Sequence, residues 1–133
     1  GFYTVDSITG RVDGLNPGDE GYLQKALARS EAEDLLIDAS SLPAFGATST
    51  FNSLPLDTRE RYGVLLLQNG DSSEIFSSFA AANEGGATQM VSLSNSANSL
   101  VLGIEDLSVA KGLCDNDFND LIVKIQGVSL GLF

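Results

Sequence analysis

Asp115-Asn116-Asp117-Phe118-Asn119-Asp120 is the segment of this chain best equipped for chemistry. It follows a second acidic pair, Glu105-Asp106, and from residue 105 to residue 120 five carboxylates share one cationic neighbour, Lys111. Folding such like charges together costs repulsion and desolvation, which a cation held among the oxygens offsets. A donor set made of oxygen alone suits a hard divalent ion, and Ca²⁺ is the expected one. Alternate residues of an extended or looped segment project to one side. Asp115, Asp117 and Asn119 are therefore expected to converge, while Phe118 points the other way and anchors the loop in the core. Ca²⁺ takes about six to eight oxygens, so Asp120, backbone carbonyls within residues 109–113, water, and either Glu105 or Asp106 are the expected completion.

An EF-hand does not fit this run: its sixth position is Asp120 where Gly is needed, its twelfth is Gln126, and a β-type segment follows. A solvated loop of Asx turns would account for an isolated Asp-x-Asp. The second acidic pair and the density of carboxylates favour a bound cation instead. The remaining acids have simpler explanations. Asp6, Asp13, Asp19 and Glu20 are irregularly spaced around an expected helix start, and Asp34, Asp38, Asp57 and Asp71 fall near turns or strand ends.

The elements that must hold the acidic loop read as strands. Leu121-Ile122-Val123-Lys124-Ile125 follows it directly and Leu100-Val101-Leu102-Gly103-Ile104 precedes the Glu-Asp pair. Phe2-Tyr3-Thr4-Val5, Leu35-Leu36-Ile37, Val64-Leu65-Leu66-Leu67 and Met90-Val91-Ser92-Leu93 are similar runs bounded by turn residues. Residues 94–99 read as a hairpin loop. Tyr22, Leu23, Ala26 and Leu27 recur at helical spacing, which predicts one short N-terminal helix over residues 19–29, started by Asn16-Pro17-Gly18-Asp19. Phe76 and Phe79 are expected to cover an edge of the core. Residues 44–55 carry no clear period, with Phe45 and Phe51 as their expected anchors. The class implied is mainly β: an antiparallel, jelly-roll-like β-sandwich with one short helix.

Composition bounds the function. The 133 residues suit a single domain, expected to be cut from a larger protein. Eighteen acidic against seven basic residues give a net charge of -11, which repels nucleic acid and anionic membranes. No stretch reaches the roughly 20 apolar residues of a membrane-spanning helix. The chain has no histidine, which removes Ser-His-Asp and Cys-His catalysis and the commonest zinc sites. It also lacks the Trp that sugar-cleaving carboxylate pairs commonly use for stacking, so the expectation is no enzyme activity. Cys114 is the single cysteine and excludes an internal disulfide.

Leu102-Gly103-Ile104-Glu105-Asp106-Leu107, followed by Asp115 through Asp120 and a hydrophobic strand, resembles the domain-of-unknown-function 4114 family. The segment Val12-Asp13-Gly14-Leu15-Asn16-Pro17-Gly18-Asp19, with Tyr22 and Ala26, is also similar to cyanobacterial members. The resemblance implies a calcium-binding β-sandwich module of large secreted or cell-surface proteins, including adhesins with RTX-type repeats. Carried over by position, it implies Glu105, Asp106, Asp115, Asp117, Asn119 and Asp120 as metal ligands. Residues 108–114 depart from the family pattern, which has a shorter, glycine-rich run there. The expected role is an ion-rigidified, non-catalytic module for adhesion or surface assembly. Its partners would be calcium and a surface glycan or neighbouring domains. The alternative is a lectin-like module whose Ca²⁺ binds sugar hydroxyls directly.

Overall fold

A computed structural model describes residues 1–52 and 54–126. Most of the short apolar runs become strands, and they pair only with antiparallel neighbours. The first sheet has the order β1 (Phe2–Thr4), β2 (Tyr62–Leu67), β3 (Ile75–Ser77). The second has β4 (Met90–Ser96), β5 (Ser99–Ile104), β6 (Leu121–Gln126). The protein is thus mostly β, with two three-stranded antiparallel sheets and one helix. Neighbours in both sheets follow chain order, so the described strands lack the Greek-key crossovers of a jelly roll.

Side-chain alternation along the first sheet gives it two apolar faces. Phe2, Val64 and Phe76 join a core cluster with Met90, Leu100, Leu102, Ile104 and Ile125 of the second sheet. Tyr3, Leu65 and Ile75 face the other way, against Tyr22, Ala26 and Leu27 of α1 (Tyr22–Ala32). Two side chains extend this second contact by hydrogen bonding. The Tyr3 hydroxyl lies 2.8 Å from Ser77 Oγ, and the Tyr22 hydroxyl donates to Gly10 O at 2.6 Å.

Several expectations need correction. The helix is not N-terminal: β1 precedes it, and it begins at Tyr22 rather than Asp19 because Gly21 takes a left-handed φ of 82° at the N-cap. Asp19 is spent one turn earlier, where its carboxylate accepts the Asn16 N–H at 2.7 Å. Leu35-Leu36-Ile37 is not a strand. Asp34 turns left-handed (φ 58°), Asp34 N–H donates to Glu31 O and Leu35 N–H to Ser30 O, the pattern of a Schellman cap. Leu35 is therefore buried as the plug that closes the helix end, and its carbonyl accepts the Phe2 N–H. Phe45 is fully exposed and Phe51 is 39% exposed, and neither joins a core cluster; Leu54 and Leu56 pack that region onto the core instead. Phe76 belongs to β3, whose three residues are too few and too diluted by serine to register as a run. The hairpin is tighter than expected, with Ser96 paired to Ser99 and only Ala97 and Asn98 between.

Candidate metal centre

β5 places the site. Leu100, Leu102 and Ile104 are buried in the core, and Glu105 follows directly where the strand ends. The chain then makes a long excursion and returns as β6, with Leu121 paired to Ile104. Both ends of the acidic loop are thereby fixed by one strand pair. Gly103 lets the loop lie close: a Cβ there would sit 2.3 Å from the Phe118 carbonyl oxygen, so the loop backbone crosses β5 where a side chain is absent.

Glu105 is fully buried. Its Oε1 accepts the Phe118 N–H at 2.6 Å, while its Oε2 is buried without a hydrogen-bond partner. Glu105, Asp115 and Asp117 each offer a carboxylate oxygen, and the three oxygens lie within 4.8 Å of one another. An ionised carboxylate left buried and unpaired costs on the order of several kcal/mol. Lys111, the nearby cation in sequence, is drawn instead to Glu74 at 3.6 Å. Among the described residues no Lys or Arg pairs with any of the five carboxylates. Desolvation therefore raises the Glu105 carboxyl above the ordinary carboxylate value, and Asp120, Asp115 and Asp117 add to the rise against the Phe118 N–H.

The other three expected ligands sit beside this trio rather than within it. Asp120 Oδ2 accepts the Asp106 N–H at 3.1 Å, and desolvation, with Asp120 close by, raises the Asp106 carboxyl as well. Asn119 donates to Asp117 through its backbone N–H (3.0 Å) and its side-chain amide (2.5 Å), so it braces that carboxylate. Of the Glu105-Asp106 pair, it is Glu105 that joins Asp115 and Asp117.

Of the extended and looped forms expected, the segment takes the looped one, without the strand-like alternation. Asn116 and Phe118 take left-handed φ values of 62° and 55°, so the loop curls and the carboxylates converge by turning rather than by strand alternation. Phe118 is half-buried and belongs to neither core cluster. It is the Phe118 main chain, not its ring, that anchors the loop, through the N–H to Glu105 and the carbonyl over Gly103.

Gln89, just before β4, escaped sequence reading. It is buried, its amide donates to Glu105 O (3.1 Å) and Leu107 O (3.0 Å), and its Oε1 accepts the Val109 N–H at 2.6 Å. A neutral polar residue ahead of an apolar run carries no signal of such a role; only the pairing of β4 with β5 reveals it. Elsewhere, Asp6 and Asp13 are both bridged by Arg29, which lowers the Asp6 carboxyl, so these two acids are neutralised by protein. Asp38 and Asp71 accept the backbone N–H groups of Ser40 and Ser73, and Asp57 is held at about 2 by hydrogen bonds from Arg59.

The comparisons with known proteins bear on this same half of the chain. The family model described as Domain of unknown function (DUF4114) matches residues 56–128, a span that holds β2 to β6 and all six candidate residues but not the N-terminal segment 12–19. No curated protein and no solved structure matches the chain.

Proposed function

The chain belongs to this domain-of-unknown-function family, and from that premise we propose that the connection between β5 and β6 is a Ca²⁺ site that rigidifies a non-catalytic module. One observation carries the reading: the buried Glu105 has an oxygen without a partner, and its carboxylate is grouped with those of Asp115 and Asp117. A hard cation supplies what the protein does not. The donors are all oxygen, and Cys114 hydrogen-bonds to Asn116 outside the trio, which disfavours zinc and other soft-ligand metals. The loop's irregular backbone suits the flexible coordination of Ca²⁺ better than the near-ideal octahedron of Mg²⁺.

When bound, Ca²⁺ would supply charge neutralisation and a cross-link. Glu105, Asp115 and Asp117 would hold it, with backbone or water oxygens completing the shell. Asn119 would hold Asp117 in place, and Asp120 would tie the end of the loop to Asp106. We further propose that the two sheets stack as a β-sandwich, since side chains of both share one core cluster. The acidic surface and the dependence on Ca²⁺ suit a secreted or cell-surface setting, where the module would serve adhesion or assembly. The exposure of Asp115 and Asp117 favours a second reading, in which glycan hydroxyls complete the coordination. A glycan array screened with Ca²⁺ and with chelator separates the two readings.

Thermal melts test the main proposal. Ca²⁺ is expected to raise the melting temperature and a chelator to lower it, because binding confined to the folded state adds ~2.7 kcal/mol at 100-fold the dissociation constant. Mg²⁺ should substitute poorly. The gain should also depend on pH. Glu105 and Asp106 have raised values when folded, so the folded ion-free chain binds more protons than the unfolded chain. Their contribution to ion-free stability is therefore lost as pH rises from the ordinary carboxylate range, about pH 4, through the raised values. The Ca²⁺ gain should grow over that window. A melt unchanged by rigorous chelation at neutral pH contradicts the proposal.

A further inference from the structure

We propose that Gln89 is the positioning residue of this site: a buried amide that sets ion affinity by fixing the backbone from Glu105 to Val109, without itself touching the ion. The inference rests on the calcium reading above and adds a residue outside the acidic motif.

Gln89 stands opposite Glu105, one residue outside each strand. Its carbonyl accepts the Glu105 N–H at 3.0 Å, extending the β4–β5 ladder beyond the Met90–Ile104 pair. Its side chain is only 1% exposed, and its amide uses both donor hydrogens and its oxygen on the chain that follows. The two N–H bonds go to Glu105 O and Leu107 O, and the oxygen takes the Val109 N–H. No other side chain of this length does all three: a carboxylate has no hydrogens to donate, and an ammonium has no lone pair to accept.

These bonds hold the residue that supplies the buried donor. With both its N–H and its C=O engaged by Gln89, the Glu105 backbone cannot rotate, and the side chain stays directed at Asp115 and Asp117. The turn over residues 106–109 is fixed at the same time, so the excursion to Asp115 starts from a defined point. A partner that orients a metal ligand typically changes affinity by ~10- to 100-fold when removed. Gln89 acts on the ligand through the main chain, and its effect falls on the ordering that binding would otherwise have to impose.

The test compares the whole chain with Gln89→Met, close in shape but without hydrogen bonds, and Gln89→Glu, which keeps an acceptor and loses the donors. Ca²⁺ affinity is read by chelator-buffered titration, and coordinated water by the luminescence lifetime of Eu³⁺ placed in the site. Both variants should bind Ca²⁺ about 10-fold or more weakly, with a shorter Eu³⁺ lifetime from added water, while far-UV circular dichroism stays that of the parent. Should a variant fail to fold, amide exchange in the unaltered chain decides. Ca²⁺ should slow exchange of the Val109 N–H and the Gln89 side-chain amide by about 10-fold through the ordering of the hydrogen-bonded turn. Unaltered affinity and lifetime in folded variants would overturn the role of Gln89 alone, as would exchange at these groups that ignores Ca²⁺ while the ion binds. An unaltered chain that takes up no Ca²⁺ would overturn the calcium reading and this inference with it.

Discussion

Glu105→Gln is expected to make the ion-free protein more stable and to remove most of the stability that Ca²⁺ adds, so that one substitution acts in opposite directions on the two quantities. Gln keeps an oxygen for the Phe118 N–H and the volume of the buried side chain. It removes the charge that desolvation opposes, and it places amide hydrogens where Oε2 now lacks a partner, on a side chain grouped with the acceptor carboxylates of Asp115 and Asp117. The ion-free gain should be about 1–3 kcal/mol at neutral pH, the scale on which an unsatisfied buried polar group costs stability. The Ca²⁺ increment should shrink by most of its ~2.7 kcal/mol at the same ion excess. Asp117→Ala makes the contrast. It is exposed, so its loss should remove the Ca²⁺ response without a comparable ion-free gain, since two Asn119 hydrogen bonds go with it. Denaturant melts of the parent and both variants, with Ca²⁺ and with chelator, give all six values. A Glu105→Gln protein that is strongly destabilised without ion and keeps its full Ca²⁺ response would contradict the account of the buried carboxylate.

Gly103→Ala should be among the most damaging single-methyl additions in the second sheet. The new Cβ would fall 2.3 Å from the Phe118 carbonyl oxygen and 3.0 Å from Leu93 Cδ1. The Leu93 side chain is half exposed and can swing aside, but the carbonyl belongs to the loop backbone and moves only with the loop. Overpacking of this kind costs ~1–3 kcal/mol, and here it also lifts the segment that carries Asp115 and Asp117 away from Glu105. Stability without ion and Ca²⁺ affinity should therefore fall together. A Gly103→Ala protein with parental stability and affinity would mean that the loop does not lie across β5 as described.

The parts of the fold that were legible in the sequence are those where local and tertiary signals agree. Val64 to Leu67, Leu100 to Ile104 and Leu121 to Ile125 are apolar runs bounded by turn residues, and each became part of a strand. Leu35-Leu36-Ile37 has the same appearance, but it follows a helix directly, and the demand for a C-cap at Asp34 and Leu35 outweighed β propensity. Phe45 misled because aromatic character marks burial only where a surface exists to receive it. Within the candidate site, residue type identified the acids, and the pairing of β5 with β6 brought Glu105 to Asp115 and Asp117. What the sequence withheld was conformation. Left-handed φ at Asn116 and Phe118 replaced strand alternation, so the reason given for convergence was wrong even where the convergence occurred. Gln89 and Gly103 were invisible for a related cause: each matters only through a backbone that comes near it in space.

Calorimetric titration of chelator-stripped protein with Ca²⁺ bears most directly on the claim that Glu105, Asp115 and Asp117 hold an ion. A saturable binding isotherm is expected in the parent, and no saturable isotherm is expected in Asp117→Ala. A parent protein that shows no saturable heat across millimolar Ca²⁺, at more than one temperature, would contradict the account.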